Sequence, residues 1–240
     1  MSDLRPASDL LPAAWVLDAA LTGDAPVVLR YGPPGFDAYL RLPVDPVGPV
    51  ALGLGLDADV DAMEIALRVL AGHTTTPEVA YVGVWHGYGF ASGPDPDAPV
   101  VPLPNAWMYL FTGPVSAMRY AQQVVWSLAG GVPDTGIDAE PDLVWPADHA
   151  WCLACEVDEE IEFSIGCTDA AASALEEALP GLVRRVAYGQ DAPWERPHDR
   201  PPHEALGPRA DGRHEARGPG PVGPGGPVGP GGPGGPGGRS

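Results

Sequence analysis

The chain of 240 residues has 32 acidic side chains and 13 arginines but no lysine, and its formal net charge is −19 at pH 7. Such a charge repels a phosphate backbone, and Arg184-Arg185 is the only adjacent basic pair, so nucleic acid is not expected as a partner. No apolar run approaches the length of about 20 residues that a membrane-spanning helix needs, so no membrane partner is expected either.

The foldable part of the chain is predicted to end near residue 190. Residues 191–240 contain 14 Gly and 12 Pro and too few large apolar side chains to offset the entropy cost of ordering. This composition predicts a disordered tail, in which every third residue from 220 to 238 is Gly, the period of collagen-like triplets. The tail has six acids and six arginines, so the whole −19 lies on residues 1–190, which are predicted to form one domain.

The first half of this domain is predicted to contain two helices and a hairpin. Apolar residues at helical spacing predict a helix over 9–22. Two strands, PVVLRYG (26–32) and GFDAYLRLP (35–43), are predicted to form a hairpin around the turn signal GPPG. A second helix is predicted over 58–71, with acids in its first turn, so that His73 lies just beyond its end.

The second half is predicted to contain strands at 78–86 and at NAWMYLF (105–111). Gly113-Pro114 opens a third predicted helix that ends near residue 130. The remaining predicted elements are the hairpin of AWCLACEV (150–157) and IEFSIG (161–166), the helix DAAASALEEAL (169–179) and the strand LVRRVAY (182–188). Because hairpins dominate, the sequence predicts an α+β fold with a mainly antiparallel sheet and about four helices.

Three histidines are candidates for acid/base chemistry: His73, His86 and His149. Imidazole titrates near neutral pH, and a carboxylate such as Glu78 or Asp148 could complete a catalytic group with them. The competing interpretation is structural, because an imidazole beside the last carbonyls of a helix is a common stabilising contact. The first interpretation predicts an enzyme of unknown type.

A second alternative is a small zinc site. Four soft or borderline ligands lie within 19 residues, namely His149, Cys152, Cys155 and Cys167. Alternation along the predicted strand counts against this site, because it puts Cys152 and Cys155 on opposite faces of the sheet. We therefore expect structural thiols and no bound metal.

No cofactor is expected, and the predicted location is the cytoplasm. GLGLDA (53–58) imitates a dinucleotide-binding loop, but the preceding prolines suit a core parallel strand badly and nearby Asp residues would repel a pyrophosphate. The start of the chain lacks the pattern of a signal peptide. Three cysteines in a reducing compartment favour free thiols over a disulfide framework.

The favoured function is a non-enzymatic binding or interaction protein. Aromatic and histidine side chains suggest a binding groove, formed by His73, Trp85, His86, Tyr88, Trp107 and Trp145. Five carboxylates around a predicted turn suggest an acidic surface for a basic protein partner, and they are Glu156, Asp158, Glu159, Glu160 and Glu162. A solvated turn is the plainer interpretation of the same acids.

Several stretches of the sequence resemble an uncharacterised actinobacterial protein family, whose members are hypothetical proteins of high-GC genomes. They are PPGFDAYLRL (33–42), AGHTTTPEVAYVGVWHGYG (71–89) followed by LPNAWMYLFTGP (103–114), and PDLVWPADHAWCLACEVD (141–158). The resemblance covers most of residues 25–170 and implies no activity. That family often has an acid in place of His86, Arg in place of His149 and Gly in place of Cys167, which weakens the histidine and zinc hypotheses.

Overall fold

The computed structural model describes residues 3–43, 62–88, 98–121, 141–155 and 162–190. Within these residues, nine strands form one antiparallel sheet. The strands are β1 (Arg5–Pro6), β2 (Ala38–Pro43), β3 (Ala80–Trp85), β4 (Val100–Leu103), β5 (Ala106–Gly113), β6 (Leu143–Pro146), β7 (Cys152–Ala154), β8 (Glu162–Cys167) and β9 (Arg184–Val186). Their order across the sheet is β1-β5-β3-β6-β7-β8-β2-β9, and β4 also pairs with β5.

Helices cover both faces of this sheet. The four α-helices of the described residues are α1 (Ala14–Thr22), α2 (Ala25–Tyr31), α3 (Ala62–Ala71) and α4 (Asp169–Ala178). Helices α1 and α2 pack on one face, and α3 and α4 pack on the other with the 3₁₀ helix Val115–Tyr120. The predicted α+β fold with a mainly antiparallel sheet is confirmed. None of the described helices has the length and apolar character needed to cross a membrane.

Strand β2 shows the effect of the two helical layers. Leu40 and Leu42 pack in the core on the α3/α4 face. Arg41 points to the α1/α2 face, where its guanidinium lies 5.5 Å from the ring centroid of Tyr31. Apolar and polar residues alternate along β2, which suggested that one face of the strand is polar and exposed. Every residue of β2 except Pro43 is nevertheless buried, because helices cover both faces of the sheet.

The predicted strand at 26–32 is wrong, since Ala25–Tyr31 forms helix α2. Pro26 lies in the first turn of this helix, where its fixed φ is favourable and its missing N–H costs no hydrogen bond. Gly32, at a φ of 72°, ends the helix in a conformation that suits glycine. Adjacent valines favour a strand only weakly, and the burial of Val28 and Tyr31 against the sheet outweighs that preference.

Strand pairing differs from the predicted hairpins in one case and agrees in another. β2 pairs with β8 and β9, which lie more than a hundred residues away, and not with residues 26–32. The predicted hairpin of β7 and β8 is confirmed. Strands β1, β4 and β6 were not predicted, because segments of two to four residues are too short to show a period. Pro102 in β4 is compatible with an edge strand.

The other predicted elements agree with the structure where it describes them. Helices α1, α3 and α4 and strands β3, β5 and β9 lie within the predicted ranges or extend them by one or two residues. His86 is an exception, because it begins the 3₁₀ helix His86–Tyr88 and does not continue β3. The third predicted helix begins with the 3₁₀ helix Val115–Tyr120 and is described only as far as residue 121. GLGLDA, residues 122–140, residues 156–161 of the acidic turn and the tail lie outside the described residues.

The strand register defines two ends of the sheet. We call the first the Glu162 end. Here β2 ends at Pro43, β3 at Trp85 and β7 at Ala154, and here β6 begins at Leu143 and β8 at Glu162. At the second, the Asp148 end, Ala80 at the start of β3 pairs with Pro146, the last residue before the β6–β7 turn. Candidate functional residues lie at both ends.

Candidate functional site

At the Asp148 end, the threonine run of residues 74–76 binds the β6–β7 turn. The carboxylate of Asp148 accepts hydrogen bonds from Thr74 Oγ1 at 2.7 Å, from Thr75 Oγ1 at 2.7 Å and from the Thr75 N–H at 2.6 Å. The N–H of Ala150 donates to the same carboxylate at 3.2 Å. Asp148 also donates its own N–H to Thr76 Oγ1 at 3.2 Å. The run therefore joins the α3–β3 connection to the β6–β7 turn.

These hydrogen bonds keep Asp148 ionised. Burial raises the pKa of this carboxyl group, but the donors of Thr74, Thr75 and Ala150 together outweigh burial and lower the pKa from 3.8 to about 2. A carboxylate with such a pKa is a weak base at neutral pH, and its oxygens already accept several hydrogen bonds. Its geometry suits a structural link between two loops better than catalysis.

Asp148→Asn should lower the free energy of unfolding at pH 7 by about 1 kcal/mol, a modest loss because solvent screens this exposed carboxylate. The folded-state pKa lies below the usual value, so the stability from the charge is present above pH 3.8 and is lost as the pH falls towards 2. Urea unfolding at pH 7 and at about pH 3 measures the effect, and the loss should be smaller at the lower pH. Asp37→Asn, at an exposed position, is the control. A loss of equal size at both pH values would contradict the role of the charge.

His149 follows Asp148 and packs as an aromatic side chain. Its ring stacks on that of Trp15 in α1, with centroids 4.3 Å apart and planes 15° apart. Its backbone has a φ of 55°, in the left-handed region that residues other than glycine rarely adopt. Burial lowers the pKa of His149, although the nearby charge of Asp148 raises it. The ring is consequently neutral near pH 7.

The structure does not bring the three candidate histidines together. His73 follows α3 as predicted, and its N–H donates to Leu70 O at 3.0 Å. From there the chain passes through the threonine run, so His73 and His149 belong to the Asp148 end. His86 lies beyond the other end of β3, whose six residues span about 20 Å. The described geometry therefore does not support the alternative of a three-histidine group and agrees with the favoured structural interpretation.

The four ligands of the alternative zinc site are also separated. Cys152 packs in the core on the α1/α2 face, and Cys155 and Cys167 pack in the core on the opposite face, as the alternation predicted for the first two. Burial raises the pKa of Cys167 to about 12 and raises that of Cys152 as well, so both thiols stay protonated. In the described parts of the chain, no three His, Cys, Asp or Glu side chains are placed to hold a metal ion. The zinc hypothesis does not fit this geometry.

The aromatic groove is not formed by the predicted residues. Trp145 is buried on the α1/α2 face, where its indole N–H donates to Pro12 O at 3.2 Å. Trp85 packs against the core on that same face. Trp107 lies on the opposite face, because its neighbours Met108 and Ala106 point to the α1/α2 face. The side chain of Tyr88 lies outside the described part of the chain.

A smaller aromatic patch remains at the Glu162 end, and we call it the Trp107 patch. It consists of Trp107, His86 and Tyr109. The ring centroid of His86 lies 6.4 Å from that of Trp107 and 5.2 Å from that of Tyr109. Trp107 is 59% exposed. The sequence predicted His86 and Trp107 as binding residues but not Tyr109, which shares the face of Trp107 by simple alternation along β5.

The prediction that Glu162 belongs to an exposed acidic surface is wrong, because this residue is only 8% exposed. Its Oε2 accepts hydrogen bonds from Arg41 Nε at 2.9 Å and from Arg184 Nη2 at 2.7 Å. Arg41 is itself 1% exposed and donates through Nη1 to Ser164 Oγ at 2.8 Å. This buried ion cluster anchors the start of β8 to β2 and β9. The other four predicted acids lie in 156–161, outside the described residues.

Asp142 strengthens the same end of the sheet. It is buried at the start of β6, and its Oδ2 accepts a hydrogen bond of 2.7 Å from the N–H of Trp85 at the end of β3. Its carbonyl oxygen accepts a bond of 2.8 Å from the N–H of Cys155, just after β7. Asp142 thus joins β3, β6 and β7 at the Glu162 end.

Most of the acidic excess of residues 1–190 lies in four internal segments outside the described residues. The described residues contain 13 acids and 7 arginines, whereas the four internal segments outside the description contain 13 acids and no arginine. Each segment has a described neighbour at the Glu162 end: residues 44–61 follow Pro43, 89–97 follow the 3₁₀ helix at His86–Tyr88, 122–140 precede Pro141, and 156–161 connect β7 to β8. The four segments together carry a formal charge of −13.

Comparison with protein-family models, with curated proteins and with solved structures found no match to the chain. The fold of the described residues defines a class only, an α+β protein whose antiparallel sheet has helices on both faces. The resemblance to an actinobacterial family stays a prediction.

Proposed function

We propose that this chain is a non-enzymatic binding protein that docks a basic protein partner at the Glu162 end of its sheet. The observation that carries the proposal is that four internal segments contain 13 acids and no arginine, and that each of them adjoins in sequence a described residue at that end. A concentration of one charge accelerates the approach of an oppositely charged partner and helps to orient it.

The described arginines support the proposal because several of them already have acidic partners. Arg41 and Arg184 bind Glu162, so this buried cluster uses two positive charges within the fold. Arg185 forms ion pairs with Asp169 and Glu176. Because these arginines are already paired, they neutralise little of the negative charge of the internal segments. A partner that brings its own basic residues would supply it.

The described histidines and carboxylates favour binding over catalysis. Asp148 is a weak base held by threonines, and His149 is a neutral ring stacked on Trp15. A catalytic group would require an acid and a base that meet at one place, which these residues do not supply. The location that we propose is the cytoplasm, which is compatible with the three free thiols, Cys152, Cys155 and Cys167.

Neutralising the acidic turn should slow association with a basic probe. We would change four acids to their amides, Glu156→Gln, Asp158→Asn, Glu159→Gln and Glu160→Gln, and leave the buried Glu162 unchanged. Stopped-flow association with a labelled nona-lysine peptide should become about tenfold slower at low salt, and its salt dependence should flatten.

The matched control variant changes four exposed acids elsewhere, Asp18→Asn, Asp24→Asn, Asp37→Asn and Glu177→Gln. Both variants make the net charge four units less negative, so overall charge affects them equally. We expect the control to keep most of the rate of the unchanged protein. If both variants lose the same rate, net charge alone governs binding and the proposed docking surface is contradicted.

A further inference from the structure

Helix α1 packs on the sheet partly through Trp15, whose indole lies in a group of rings. Phe36 and Trp145 contact this indole in edge-to-face arrangements, each with a centroid distance of 6.3 Å. His149 of the β6–β7 turn stacks on the same indole with a centroid distance of 4.3 Å. Trp145 is buried, whereas His149 is exposed, so the imidazole is the most exposed member of this group.

Two features oppose the contact of His149 with Trp15. The indole N–H of Trp15 is buried and has no hydrogen-bond partner among the described residues, and a buried donor without an acceptor is unfavourable. The backbone of His149 has a φ of 55°, which a residue other than glycine keeps only when its surroundings hold it there. If the two rings separated, water could reach the indole N–H and the turn could relax. Ring packing opposes this release, so a change that weakens the packing favours release.

Protonation of His149 is such a change. Its ring nitrogens have no hydrogen-bond partner among the described residues, so a stacked imidazolium would lack acceptors that water supplies. Burial lowers the pKa of His149 from its usual value of 6.5. The charge of Asp148 and the face of the indole both attract the cation, and burial outweighs them. The other titratable groups on the elements packed against the turn are Asp18 of α1 and His73 and Glu78 of the α3–β3 connection.

We infer that the contact of His149 with Trp15 is a pH-sensitive switch, which fastens α1 to the sheet while His149 is neutral and loosens α1 when His149 is protonated. A released imidazole takes up a proton more readily than the stacked one, so the stacked arrangement loses stability as the pH falls below 6.5. Asp148 stays ionised in this range because its pKa is about 2, and its bonds to the threonine run therefore persist. The switch is independent of the proposed function, since it involves no partner.

Hydrogen exchange of the α1 amides, compared at about pH 7.5 and about pH 5.5 and corrected for the intrinsic exchange rates, tests the switch. In the unchanged protein, the protection of residues 14–22 should fall by about threefold or more at the lower pH, because local opening becomes more favourable. His149→Phe keeps a ring that can stack on Trp15 but cannot take up a proton. This variant should have the same protection of α1 at both pH values.

His86→Phe is the matched control, because His86 also lies against aromatic rings, those of Trp107 and Tyr109, but at the other end of the sheet. This variant should lose α1 protection in acid as the unchanged protein does. A proton NMR titration of His149 in the unchanged protein should have its midpoint below 6.5. The inference is overturned by a midpoint at or above that value, by α1 protection that does not change with pH in the unchanged protein, by an equal fall in His149→Phe, or by a pH dependence that His86→Phe abolishes.

Discussion

Glu162→Leu should lower the free energy of unfolding by about 3–5 kcal/mol, because it removes a carboxylate that is ion-paired with the buried guanidinium of Arg41. Arg41 is 1% exposed, so water cannot replace the bond that its Nε makes to Glu162 Oε2 at 2.9 Å. The hydroxyl of Ser164, which accepts a hydrogen bond from Arg41 Nη1 at 2.8 Å, is neutral and does not replace the charge of Glu162. Urea unfolding followed by circular dichroism measures the loss.

Two further variants show whether charge causes this loss. Glu64→Leu removes a carboxylate from an exposed i,i+4 pair with Arg68, and it should change the unfolding free energy by no more than about 0.5 kcal/mol. The double variant Arg41→Met with Glu162→Leu should recover most of the stability, since apolar side chains in that place need no compensating charge. If the double variant is as unstable as Glu162→Leu alone, the loss of stability comes from packing and not from charge.

Trp151→Ala should cost about 3–5 kcal/mol of unfolding free energy, the usual range for deleting a large buried aromatic side chain. Trp151 is fully buried just before β7, and its indole N–H donates to Leu70 O in the last turn of α3 at 2.9 Å. The substitution leaves a cavity and also leaves the carbonyl of Leu70 without that donor. Thermal and urea unfolding should both show the loss.

Trp107→Ala is the control for Trp151→Ala, because it removes the same side chain from an exposed position. It should change stability by no more than about 0.5 kcal/mol. A loss at Trp107 comparable to that at Trp151 would contradict the assignment of the loss at Trp151 to its burial.

Features with a local physical cause could be predicted from the sequence. Helix α3 was predicted because one face repeats apolar residues at helical spacing, and Met63, Leu67 and Leu70 are buried as that pattern requires. The separation of Cys152 from Cys155 was predicted because side chains alternate along any strand. The antiparallel sheet followed from the frequency of strands joined by short connections.

Features that depend on distant partners could not be predicted in this way. Residues 26–32 have a strand-like composition, and they form a helix because its face covers the sheet. The prediction of an aromatic groove failed because Trp145 and Trp107 lie on opposite faces of the sheet. Their faces follow from the strand pairing and not from their spacing along the chain.

By itself, the sequence determined where the acids lie along the chain, which segments have helical or alternating periods, and which thiols a strand must separate. The tertiary structure alone decided that Glu162 belongs to a buried ion cluster, because β8 pairs with β2 and so places it beside Arg41, 121 residues away. The physical reason is that periodicity is a property of the local backbone, whereas burial and the meeting of charges depend on which distant strands pair.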